Sequence, residues 1–238
     1  MTPTGRHGDG GAAGAAAPSV AELAERFGAL REQIARAGGS DVTVVAVTKG
    51  FGADVIAAAV AAGATDIGES YAQEMRSKID ELDERSVEVP TWHFIGRLQR
   101  NKVRSLVPRV GLWQSIDRIE LAREVARRQP GAHILVQVNI SSEPQKGGCP
   151  PAAVEEVVAG ASGLGLDVQG LMGVGPADEP DRARSAFRTL VRLADGLDLP
   201  VRSIGMTDDV ELAVAEGSTM VRVGRSLFGD RPPAGAGP

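Results

Sequence analysis

The chain has 238 residues, 42% of them hydrophobic, and a formal net charge of −5. That length and apolar content suit one sizeable core, and an acidic balance argues against general nucleic-acid binding, because a polyanion needs a basic surface. A single cysteine, Cys149, excludes a disulfide within the chain.

Residues 1–18 are rich in Gly, Ala and Pro and read as a disordered tail rather than a signal peptide. Residues 231–238 read as a second tail, and 19–230 as one domain. The first helix is predicted to start at Ser19: Leu23, Phe27, Leu30 and Ile34 repeat at spacings of three and four, giving one apolar stripe. "AGGS" ends it, and Val42 to Thr48 reads as a buried strand. The pattern then repeats. "ADVIAAAVAAG" precedes the strand "TDIGES", and "YAQEMRSKIDEL" precedes "TWHFIG". A helix near Arg100 to Leu106 precedes "VGLWQSI", and "RIELAREVARR" precedes "AHILVQVNIS". "PAAVEEVVAGASG" precedes "LDVQGLMGVG", "PDRARSAFRTLVRLADG" precedes "PVRSIGM", and "DDVELAVAEG" precedes "TMVRVG".

Alternating helices and short apolar strands imply a parallel sheet. Eight such units at this length predict an α/β chain folded as a single (β/α)8 barrel of TIM type, with an extra helix at its N-terminus. A doubly wound open sheet is the alternative. Its glycine fingerprint is missing, since "TKGFGAD" after the first strand lacks the third glycine. The longest apolar run, Val55 to Ala64, falls well short of the ~20 residues a membrane span needs. His7, His93 and His133 have no metal-ligand spacing. No metal, no membrane and a reducing, cytoplasmic setting are therefore expected.

In such barrels the C-terminal ends of the strands converge on one mouth. Alternation puts Thr43, Val45, Val47 and Lys49 on one face of the first strand. If that face points inward, desolvation lowers the pKa of Lys49, and its neutral amine can attack a carbonyl to give a Schiff base. The plain alternative is a strand-end lysine that snorkels to water. The ends of strands seven and eight often bind phosphate. There Gly205 allows close backbone approach, Gly224-Arg225-Ser226 can open a short helix with free N–H groups, and Ser203 and Ser226 offer hydroxyl donors. These glycines could equally just make turns. Asp208 and Asp209 read as capping-type residues.

Arg222 lies within the apolar run "TMVRVG" and needs a partner: either an ion pair, with Glu69 as the candidate, or the ring nitrogen of a bound cofactor. A carbonyl-capturing lysine, a phosphate cradle and an arginine for a pyridine nitrogen together describe pyridoxal 5'-phosphate. His93 either lines the mouth or is a hydrogen-bonded histidine beside Trp92. Lys146 either exchanges an aldehyde with Lys49 or is a solvated loop lysine. The basic stretch from Arg97 to Arg104 meets phosphates or is a solvated helix face.

The segments "AVTKG", "IGESYAQE", "WHFIGRLQRNK", "SIDR", "VNIS…QKGG", "GLMGV", "GMTDD" and "GSTMVRVGRSLFG" resemble the pyridoxal-phosphate homeostasis protein family, a single-domain relative of the N-terminal barrel of alanine racemase. The resemblance runs from about Ser19 to Asp230. It implies a Schiff base on Lys49, with Ser203, Gly205, Arg222 and Gly224 around the cofactor and Arg222 on the pyridine side. Ser70, His93, Met172, Met206, Arg225 and Ser226 complete the implied cofactor-binding set. It also implies a role in vitamin B6 and amino-acid balance without established turnover, with PLP-dependent apo-enzymes as recipients of the cofactor. Two positions depart from the family: Ser70 replaces the usual Asn, and Arg225 replaces the usual Thr or Ser.

The enzymatic alternative is a PLP-dependent amino-acid racemase or lyase. Racemization by two bases needs an acid/base on each face of the reacting carbon. The racemase relatives take the second from a tyrosine in an added C-terminal domain. Here "RPPAGAGP" follows the barrel, the single tyrosine is Tyr71, and a monomer is expected. A phosphate-binding barrel without a Schiff base is the third reading.

Overall fold

The computed structural model describes residues 17–89, 91–177 and 179–231. The expected tails lie outside the described residues, apart from 17, 18 and 231. Helix α1 (Val20–Arg36) is set by a reciprocal cap: Ser19 Oγ accepts from the Glu22 N–H at 3.3 Å, and Glu22 Oε2 accepts from the Ser19 N–H at 2.7 Å. Its stripe of Leu23, Phe27, Leu30 and Ile34 is buried.

Eight strands follow: β1 (Thr43–Val47), β2 (Asp66–Glu69), β3 (Thr91–Phe94), β4 (Leu112–Ile116), β5 (His133–Val138), β6 (Asp167–Gly173), β7 (Val201–Met206) and β8 (Met220–Val223). They close in chain order, and β1 pairs in parallel with both β2 and β8. Between them run α2 (Ala53–Ala61), α3 (Ala72–Glu84), α4 (Arg100–Val103), α5 (Ile119–Arg128), α6 (Val154–Gly163), α7 (Pro180–Gly196) and α8 (Val210–Ala215), with α9 (Arg225–Phe228) after β8. Helix α1 packs against α2, α8 and α9 and so covers the seam where β1 meets β8.

Strand alternation divides the core. Val45, Leu112, Leu135, Met172 and Met220 fill the bore, while Ala46, Ile67, Trp92, Trp113 and Val221 pack outward against the helices. The inner face of β1 is therefore the one ending in Lys49, as alternation predicts. Several boundaries differ from expectation, among them the end of α4 at Val103 rather than Leu106. The helix read from Pro151 begins as a 3-10 turn over Pro151–Ala153. The helix before β8 starts at Val210, with Asp209 as its cap. Among the described residues, no helix is long and apolar enough to cross a membrane.

Candidate functional site

Strand β1 ends in a tight turn. The Phe51 N–H donates to the Thr48 carbonyl at 3.0 Å, and Gly50 takes φ +83°, so Lys49 and Gly50 are the central residues of a turn that requires a left-handed second position. A Cβ at Gly50 would also lie 3.1 Å from Arg231 Cδ, which packs over the turn. Lys49 is half-buried, and among the described residues its Nζ has no hydrogen-bond partner. Burial lowers its pKa below the ordinary lysine value, the positive charges of Arg231 and Arg222 lower it further, and Glu69 and Glu74 oppose the shift.

The ends of β7 and β8 lie beside it. Gly205 has φ +97°, and a Cβ there would be 2.6 Å from the Ala213 Cβ, so only glycine fits. At α9 the Leu227 and Phe228 N–H groups both turn back to the Gly224 carbonyl. The N–H groups of Arg225 and Ser226, first in the helix, have no intrahelical partner. Arg225 and Ser226 are exposed. Arg225 forms an ion pair with Asp208, so Asp208 is not a cap. Asp209 holds the N-cap position of α8, but its side chain turns away from the helix: its Oδ1 accepts from the Met206 N–H at 2.5 Å.

Arg222 corrects another expectation. It is buried but does not meet Glu69. Its Nη1 donates to the Ser203 carbonyl at 2.7 Å and to Ser203 Oγ at 2.6 Å, and its Nη2 donates to the Gly173 carbonyl at 2.9 Å. Burial brings its pKa down to about 10. From Arg222 a chain of hydrogen bonds descends the bore. Ser203 Oγ donates to Gln114 Oε1 at 2.7 Å, so the Gln114 amide nitrogen faces His93 Nδ1 at 2.8 Å and must donate to it. That assigns the other ring hydrogen of His93 to Nε2, which donates to Asp66 Oδ1 at 2.8 Å. Every bond points the same way, from guanidinium to carboxylate.

Of the two readings of His93, the structure gives the hydrogen-bonded one. Ser203 commits its hydroxyl hydrogen to Gln114 rather than to the mouth. Met172 lies in the bore with Val45 and Met220, and Ser70 is half-buried at the end of β2. Lys146 is not a solvated lysine: its Nζ donates to Glu143 Oε1 at 2.6 Å and to the Gly175 carbonyl at 2.7 Å. Arg97, Arg100 and Arg104 are exposed, as a solvated face requires.

Sequence reading missed one cluster beside Lys49. Lys78 Nζ, on α3, donates to Glu69 Oε1 at 2.6 Å, Glu74 Oε1 at 2.5 Å and the Thr48 carbonyl at 2.8 Å. Glu69 is fully buried; burial raises its pKa, with Lys78 and the Thr48 hydroxyl pulling the other way. The available signal was a carboxylate at a buried strand end followed by Glu74 and Lys78 at helical spacing.

With this geometry in view, comparison with known proteins is informative. Residues 19–232 match the family described as alanine racemase, N-terminal domain. A pyridoxal phosphate homeostasis protein of Escherichia coli (strain K12) is 35% identical over 227 residues, covering 90% of this chain and 96% of the relative. The chain belongs to the pyridoxal phosphate homeostasis protein family. A further member from Deinococcus radiodurans is 41% identical, covering 84% of this chain and 95% of the relative. Among solved structures, PipY of Synechococcus elongatus, described with PLP bound, superposes with a TM-score of 0.76 at 31% identity, covering 87% of this chain and all of PipY. The barrel and the family expected from the sequence are thus both established.

Proposed function

We propose that this chain binds pyridoxal 5'-phosphate reversibly as a Schiff base on Lys49, and that it does so as a cytoplasmic monomer serving vitamin B6 and amino-acid homeostasis. The observation that carries the reading is the Lys49 nitrogen: half-buried, without a hydrogen-bond partner among the described residues, and lowered in basicity at the mouth of the barrel. A neutral amine is the nucleophile such a linkage needs. The names of the relatives and the PLP-bound PipY structure support it.

The cofactor supplies an aldehyde carbon and a phosphate dianion. Lys49 offers the nitrogen that forms the carbon–nitrogen double bond, with loss of water. The free N–H groups of Arg225 and Ser226 and the Ser226 hydroxyl offer donors for the dianion. Gly205 keeps the adjoining backbone free of a side chain. Met172 floors the site, with Ser70 and Met206 at its edges. Arg222 is held rigidly by Ser203 and Gly173. A guanidinium cannot give up its proton to a pyridine nitrogen, so it would leave that nitrogen unprotonated and the ring a weak electron sink. This favours holding the cofactor, for release to PLP-dependent apo-enzymes, over turning over a substrate.

The test is an absorption titration with pyridoxal phosphate. Wild type is expected to develop the band of a protonated Schiff base, and Lys49→Ala to leave the spectrum that of free cofactor. A wild-type spectrum identical to free cofactor would refute the reading.

A further inference from the structure

The cluster around Lys78 touches the backbone on both sides of Lys49. On the N-terminal side, the Thr48 carbonyl accepts from Lys78 Nζ at 2.8 Å as well as from the Phe51 N–H. On the C-terminal side, the Gly50 N–H donates to Glu74 Oε1 at 2.5 Å. The same Glu74 oxygen receives Lys78 Nζ. Glu69 Oε1 anchors the group from below, taking both Lys78 Nζ and the Thr48 hydroxyl at 2.7 Å. All three charged residues come from one unit, β2 and α3, and they reach across to the turn after the neighbouring strand.

The turn itself is closed without this cluster. The Thr48 N–H is already paired with the Gly68 carbonyl, and the turn already has its Phe51 bond. What the cluster adds is a fixed orientation for the two peptide groups that flank Lys49. In a turn with a left-handed glycine, the peptide following Lys49 is the one free to flip, and the Glu74 carboxylate holds its N–H in place.

We propose that Glu74 and Lys78 are positioning residues for Lys49: together with Glu69 they clamp both adjacent peptide groups and so fix the direction in which the Lys49 side chain leaves the strand. The proposal rests on the Schiff-base reading for its consequence, but the clamp itself can be read without any cofactor. The Lys78 nitrogen is engaged by three oxygens, whereas among the described residues that of Lys49 has no hydrogen-bond partner.

Glu74 is the residue to vary, since it is half-buried and its loss leaves the Glu69–Lys78 pair intact. Two measurements on Glu74→Ala and Glu74→Gln decide the matter. The first is amide hydrogen exchange at Gly50 in the protein without cofactor. Glu74→Ala is expected to speed exchange about tenfold or more, the equivalent of losing one charge-assisted hydrogen bond, while Glu74→Gln, whose amide oxygen still accepts, stays near wild type. The second is the release rate of bound pyridoxal phosphate, which should rise about tenfold in Glu74→Ala and recover in Glu74→Gln with little change in melting temperature. Unchanged Gly50 exchange in Glu74→Ala would overturn the clamp. So would a Glu74→Gln variant as impaired as Glu74→Ala, because the effect would then be charge and not position. A wild type that takes up no cofactor would sink the Schiff-base reading instead, and Gly50 exchange would still decide the clamp.

Discussion

Lys49, where β1 emerges, and Lys78, in the second turn of α3, both lose much of their contact with water, yet their nitrogens have opposite surroundings. Lys78 meets Glu69, Glu74 and the Thr48 carbonyl. Lys49 meets no hydrogen-bond partner among the described residues, has Arg222 and Arg231 for neighbours, and is lowered in pKa. Burial alone does not make a lysine nucleophilic. Desolvation beside like charges lowers the pKa of Lys49. The barrel places both lysines at the same turn, and Lys78 donates to the backbone carbonyl that precedes Lys49.

Substitutions can break this contrast, and the largest effect is at Lys49 itself. Lys49→Ala is expected to abolish covalent capture of pyridoxal phosphate while leaving the melting temperature near wild type, both readable by mass spectrometry and calorimetry. Lys78→Met comes next. It leaves Glu69, already fully buried with one oxygen lacking a partner among the described residues, without its cation. Breaking a buried pair from one side is worth about 3 kcal/mol of stability, to be read from a urea transition. An unchanged midpoint would mean that Lys78 does not neutralise Glu69.

Arg231→Ala is subtler. Arg231 lowers the pKa of Lys49, so its removal should let that pKa rise toward 10.5. The rate of adduct formation, which climbs with pH as Lys49 loses its proton, should then need a higher pH to reach its plateau. The smallest effect is expected at the far end of the bore. Burial raises the Asp66 carboxyl, but the hydrogen bonds from His93 and Thr65 outweigh it, and the pKa ends below 3.8. A depressed folded-state value gives stability that is present above pH 3.8 and lost as pH falls through the folded value. Asp66→Asn should flatten that acid limb of the stability profile.

How far the sequence reveals all this depends on the range of the interactions. The bounds expected for α7, Pro180 to Gly196, match the structure, and its start is a local signal because proline suits the first helical position. The inward face of β1 follows from simple alternation, and with it the candidacy of Lys49. The chain from Arg222 to Asp66 could not be read the same way. Ser203 and Gln114 are 89 residues apart, and barrel closure alone brings them to 2.7 Å. Charge alone suggests Glu69 as the ion-pair partner of Arg222, whereas the structure gives it the backbone carbonyls of Ser203 and Gly173. The solvated reading of Lys146 fails for the same reason, since its second acceptor, the Gly175 carbonyl, belongs to the segment after the next strand.

The most direct test of the account is borohydride reduction of the protein with bound pyridoxal phosphate, followed by digestion and peptide mass mapping. The account predicts one modified peptide, the one containing Lys49, with the Lys78 peptide unmodified. Modification of Lys78, or no modified peptide at all, would contradict it.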